Sequence, residues 1–265
     1  LEIVGLGPLI DFCELCLWTG AVSGERPASC ILVAAAGSGK SSVLEKLQCD
    51  AAPLVTDLTS REISAVLREN PGATHILLSD MMAIFSHRSS VVSLACSMLG
   101  NLTGDAARTD SFQGGKVEPR QLGLITAIPT PDFQSRKVQR QLNTAGFSTR
   151  FMIVRYNYSI QTILRIHEYI KSDLYAKPNG NGAHALRLPK KRIAISIPEE
   201  LSEEIYRLAT FVKAAEDEIG TRIHHHLRAL VKARARRAGR EKAIQEDMEA
   251  IREYISLFGP KGQTL

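Results

Sequence analysis

Ser29 to Ser42 reads SCILVAAAGSGKSS, and this stretch decides the fold. Its first half, Ser29 to Ala35, is a short apolar run of the kind buried inside a parallel sheet. From Ser41 the chain reads as helix to about Gln48. Between the two lie Ala36, Gly37, Ser38, Gly39, Lys40, Ser41 and Ser42. A glycine-rich turn from strand to helix can point successive backbone N–H groups inward as an anion nest, backed by the positive end of the helix. Gly37 and Gly39 permit the tight turn. Lys40 is the expected contact of the β and γ phosphates of ATP, and the Ser41 hydroxyl that of a magnesium ion. Ala34 stands where the usual pattern has its first glycine.

Outward from this loop the pattern alternates. A helical stretch at 9–19 precedes it. Strands are predicted near Leu54–Thr56, Thr74–Leu78, Gly123–Ile128 and Phe151–Tyr156, with helices after Thr59, from about Ser89 to Leu99, and after Pro131. Thr59 and Glu62 have capping-box spacing. Strands separated by helices call for a parallel sheet covered on both faces. The expectation is an α/β fold, a phosphate-loop three-layer αβα sandwich with a parallel five-stranded sheet over residues 1–171. A linker at 172–192 and an all-α lid domain at 193–265 follow, with Gly220 and Gly239 dividing the last helices.

A metal-binding carboxylate belongs at the end of a second buried strand, and His75-Ile76-Leu77-Leu78-Ser79-Asp80 supplies it. Asp80 is expected to hold magnesium through water. The position after it, where hydrolysing relatives carry a glutamate that polarises water, is Met81.

The composition, 44% apolar and 23% charged, is that of an ordered globular chain, and no apolar run approaches the roughly 20 residues of a membrane span. Five cysteines, an odd number in mostly apolar surroundings, suit a reducing compartment, and the cytoplasm is the expectation. Cys13 and Cys16 form a lone CxxC, read as packing on one helix face. The chain opens at Leu1, so a piece of a longer protein is expected. Its net charge of +5, concentrated in Lys190–Arg192 and Lys232–Lys242, favours a polyanionic partner. Consecutive His224, His225 and His226 point in different directions around a helix and make no metal face.

In order and spacing these motifs resemble the AAA+ ATPases, nearest to the minichromosome maintenance helicases, over essentially the whole chain. Leu124-Ile125-Thr126-Ala127 is similar to the family's sensor-1 strand, which makes Thr126 the candidate γ-phosphate contact. Gly146 to Val154 resembles the segment in which an arginine precedes the last core strand and acts on a neighbouring subunit's nucleotide; here that arginine is Arg150. Gly220-Thr221-Arg222 looks like the start of the sensor-2 helix, with Arg222 reaching back to the nucleotide. The loop at 103–121 lies where helicase relatives insert a DNA-gripping hairpin, with Lys116 as its candidate tip. The resemblance implies a homo-oligomer, a hexameric ring, that couples hydrolysis of magnesium-bound ATP to DNA translocation or remodelling.

Two other classes stay open. Met81 suits an ATP-controlled assembly switch or loader with weak hydrolysis. A phosphate-loop small-molecule kinase would act as a monomer under a short arginine-rich lid.

Overall fold

The computed structural model describes residues 5–104, 111–112, 115–116, 121–144, 146, 149–172, 186–214, 222–258 and 263–264. The strands are β1 (Cys30–Ala34), β2 (Leu54–Val55), β3 (His75–Leu78), β4 (Ser111–Phe112), β5 (Gly115–Lys116), β6 (Gly123–Pro129), β7 (Met152–Asn157) and β8 (Gln263–Thr264). The helices are α1 (Gly7–Trp18), α2 (Lys40–Leu47), α3 (Ser60–Glu69), α4 (Met81–Phe85), α5 (Ser89–Leu102), α6 (Thr130–Gln134), α7 (Arg136–Thr144), α8 (Ile160–Lys171), α9 (Glu199–Ala214), α10 (Arg222–Arg237) and α11 (Gln245–Glu253).

The main sheet runs β2-β3-β6-β1-β7-β8 with every pairing parallel. The five expected strands form it, and β8 adds a sixth at the edge, pairing with the end of β7. Parallel neighbours need helical crossovers, and these bury both faces. On β1, Cys30, Leu32 and Ala34 face one core, shared with α1, α2 and the C-terminal helices. Ile31 and Val33 face a second, filled from α3, α4, α5 and α7. The capping box forms as expected: Glu62 N donates to Thr59 Oγ1 at 3.3 Å and Thr59 N to Glu62 Oε2 at 2.7 Å.

The C-terminal helices share their core with the sheet. Leu227, Leu230 and Val231 of α10 and Met248 and Ile251 of α11 belong to the same buried cluster as Phe12, Leu32 and Val154. Glu25, just before β1, draws α10 down: its Oε1 accepts from Arg228 at 2.8 Å and from Lys232 at 2.6 Å. Arg237 adds a bond to Asp11 of α1 at 2.6 Å. Ile193 exchanges backbone bonds with Ala21 and Ser23, lacing the segment after 172–192 to the same loop. Most of that stretch, 173–185, lies outside the described residues, as does Gly220. Gly239 ends α10 at φ +75° as expected. Cys13 and Cys16 are buried on α1 against Cys30, and all three are free thiols. Among the described residues no helix is long and apolar enough to cross a membrane.

Candidate functional site: the phosphate loop and the sheet rim

Parallel strands end together, so β1, β3 and β6 deliver their last residues to one rim. At the end of β1 the chain leaves through exposed Ala35, Ala36 and Gly37 and enters α2 at Lys40. Gly37 and Gly39 sit at φ +73° and +78°, left-handed values that favour glycine. The first N–H groups of α2 have no partner within the helix and open onto the loop.

Lys40 lies 9% exposed. Its Nζ donates to Ala34 O at 2.9 Å, Ala35 O at 2.6 Å and Ser38 Oγ at 3.3 Å. The ammonium is thus folded onto its own loop, where carbonyl oxygens occupy the role phosphate oxygens would take. Burial lowers the Lys40 pKa, and the nearby charge of Asp80 works the other way. The nest, the helix start and this lysine fit a polyphosphate. Exposed Ser41, one residue into α2, together with Asp80, provides oxygen donors suited to magnesium.

Two tyrosines, Tyr156 within β7 and Tyr158 just past its end, complete the loop's surroundings. Tyr156 Oη donates to Ser38 O at 3.1 Å, and Tyr158 Oη donates to the same oxygen at 2.8 Å. The sequence reading had neither. The signal was available only through pairing: Val33 is level with Arg155, so Tyr156 stands where β1 gives way to the loop.

Asp80 caps α4, with Oδ1 accepting from Met82 N at 2.8 Å, and is part-exposed at the end of β3. Met81 is fully buried among the apolar residues behind it. One strand over, Val55 is level with Leu78, which brings Asp57, just past β2, to the height of Asp80. Adjacent strands lie about 4.8 Å apart. Asp57 Oδ1 accepts from Leu58 N at 2.7 Å, and Oδ2 lies 2.8 Å from His87 Nε2. This part-exposed acid–base pair on the rim also escaped the sequence reading, because its members come from separate loops.

Three expected contacts fall elsewhere. Thr126 is fully buried in mid-strand, level with Ile31 and Leu78, and its hydroxyl has no hydrogen-bond partner among the described residues. It faces the second core with Leu124 and Ile128, three residues below the rim. The residue of β6 level with Ala34 is Pro129, so Thr130 is the polar side chain that this strand leads to the rim.

Arg222 starts α10 at the opposite end of the sheet. His226, one turn on, has Nε2 2.9 Å from the carbonyl of Arg150, and Arg150 precedes the level of Cys30 and Met152, where β1 and β7 begin. Four residues of strand, roughly 13 Å, then separate this end from the phosphate loop. Arg222 therefore does not reach back to its own chain's nucleotide site. Arg150 and Arg140 line a cleft of about 510 Å³ with Ser93, Ser97 and Asn101.

Lys116 pairs with Ser111 in the hairpin of β4 and β5, while Phe112 and Gly115 form the pair nearer the turn. Lys116 is in the arm, not at the tip; residues 113 and 114 lie outside the described residues. The basic residues of α10 are largely engaged internally: Arg228 and Lys232 with Glu25, Arg237 with Asp11 and Glu14. That helix is a structural brace.

No family model matches the sequence, and no curated protein does. Among solved structures, the chain is similar to a crystal structure of a candidate ATPase from Cytophaga hutchinsonii ATCC 33406. The TM-score is 0.50 and the identity 14%, over 95% of this chain and 81% of that one. At this identity the likeness speaks for the fold alone, an α/β fold with a parallel sheet between helices.

Proposed function

We propose that the chain is an ATPase of the AAA+ kind, binding magnesium-bound ATP at the Lys40 loop and completing each site with arginines from a second copy. The observation that carries this reading is the division of cationic groups between the two ends of the sheet. Lys40 serves the rim, whereas Arg150 and Arg222 lie a strand's length away, beyond reach of the same nucleotide. Arginines so placed can neutralise transferred-phosphoryl charge only from another subunit. A closed ring, with six copies as the family resemblance implies, gives every site both halves.

Within one site, the loop N–H groups and Lys40 bind and orient the triphosphate. Magnesium held by Ser41, and through water by Asp80, would supply further charge neutralisation. DNA is the proposed substrate of the motor, supported by the hairpin between α5 and β6 and by the positive net charge. Buried Met81 favours a second reading, an assembly switch that binds ATP and turns it over slowly.

Steady-state hydrolysis with and without DNA separates the two. The motor requires turnover well above that of Lys40→Ala and stimulation by DNA; turnover equal to Lys40→Ala, with binding intact, leaves the switch. Mixing Lys40→Ala with Arg150→Ala chains should restore part of the activity, since mixed rings contain intact sites. No recovery at any ratio would exclude shared sites and favour a monomeric kinase.

A further inference from the structure

We propose that Tyr156 and Tyr158 are positioning residues of the phosphate site, which hold the Ser38 carbonyl so that the adjoining Gly39 N–H faces the phosphate. The inference rests on the nucleotide-binding reading and extends it to residues outside the loop.

The argument begins with the peptide group. A trans peptide is planar, with its C=O and N–H pointing in opposite directions. Whatever fixes the carbonyl of residue 38 also fixes the N–H of residue 39. Glycine on the far side of that bond, at φ +78°, leaves the 38–39 peptide little steric hindrance to flipping. A flipped peptide would present an oxygen to an anion and remove one donor from the nest.

Two phenols oppose the flip. Tyr156 stands near the end of β7 and Tyr158 one residue past it, with their rings 6.2 Å apart, edge to face. Both donate to the single Ser38 oxygen, at 3.1 and 2.8 Å. Ser38 Oγ, 3.3 Å from Tyr156 Oη and 3.3 Å from Lys40 Nζ, ties the loop's cation into the same network. Tyr156 is 1% exposed within an apolar cluster. A hydroxyl there is costly unless bonded, and packing alone would be served equally by phenylalanine. Burial keeps both phenols protonated, well above the usual tyrosine range for Tyr156, so they stay donors.

The test is equilibrium binding of ADP and ATP, with magnesium, to the full chain and to Tyr156→Phe, Tyr158→Phe and the double variant. Each lost hydrogen bond should weaken binding by about three- to tenfold, and the double variant by more than either. Tyr254→Phe is the control, since it removes a half-buried phenol bonded to Asp11 of α1. It should lower the melting temperature without changing ADP affinity. If Tyr156→Phe fails to fold, the more exposed Tyr158→Phe carries the test. ADP affinity within twofold of wild type in Tyr158→Phe and in any folded double variant would overturn the proposal. A wild-type chain that binds neither nucleotide would overturn the reading of the site itself, a different and recognisable outcome.

Discussion

Asp57 brings a second carboxylate to the rim beside Asp80, where Met81 supplies none. Its carboxylate is part-exposed, level with Asp80 on the neighbouring strand, and bonded through Oδ2 to His87. A carboxylate beside an imidazole can take up a proton and pass it on, an effect worth about 10²–10⁴-fold in rate. If Asp57 serves the bound water, Asp57→Asn should lower turnover by about 10²-fold or more while leaving the dissociation constant for ATP within a few-fold of wild type. His87→Ala should lower turnover less, since it orients the carboxylate without replacing it. Single-turnover kinetics at saturating ATP checks this. An unchanged rate together with a lower melting temperature would reduce Asp57 to its bond with Leu58 N.

The tie between α10 and the loop before β1 is the element that makes the C-terminal helices part of the main body. Glu25 is 8% exposed and meets two cations, with Lys232 itself 7% exposed. Arg192 donates to the Glu25 carbonyl at 2.8 Å, so three parts of the chain converge there. Removing one member of a buried ion pair leaves the other charge unsolvated, which costs about 3–5 kcal/mol. Glu25→Gln should therefore destabilise the fold by about 3 kcal/mol, read in urea unfolding, the low end applying because Arg228 is part-exposed. Adding Lys232→Met should recover part of that loss, because the stranded ammonium goes with it. The sequence shows why α10 could be taken for a DNA face: its cations are visible, but their acidic partners stand about 200 positions away, at Glu25, Asp11 and Glu14. The phosphate loop was legible because strand, glycine turn, lysine and helix follow one another locally. The height of Thr126 was not, since it depends on register with Ile31 and Leu78, a matter of pairing and not of composition.

At the scale of the molecule, one continuous core joins the sheet to the C-terminal helices, with His75 fully buried on β3 and His226 half-buried against the Arg150 carbonyl. Burial lowers the pKa of His75 to about 3 and that of His226 to about 4. In the unfolded chain each returns to about 6.5. Between these values the unfolded state binds more protons than the folded state, so stability rises with pH. It is fully present above about pH 6.5 and is lost as pH falls towards 4 and then 3. At pH 5 each histidine should cost on the order of 2 kcal/mol relative to pH 7, at about 1.4 kcal/mol per unit of displaced titration. His226 also links this loss to the distal face, because its Nε2 lies against the Arg150 carbonyl and α10 carries Arg222 one turn earlier. Urea midpoints from pH 7 to 5 should fall steeply in the wild-type chain and less steeply in His226→Gln, whose side chain does not titrate. Equal slopes in the two chains would mean that His226 takes up its proton in the native chain as readily as in the unfolded one, with its ring open to water rather than held against the Arg150 carbonyl.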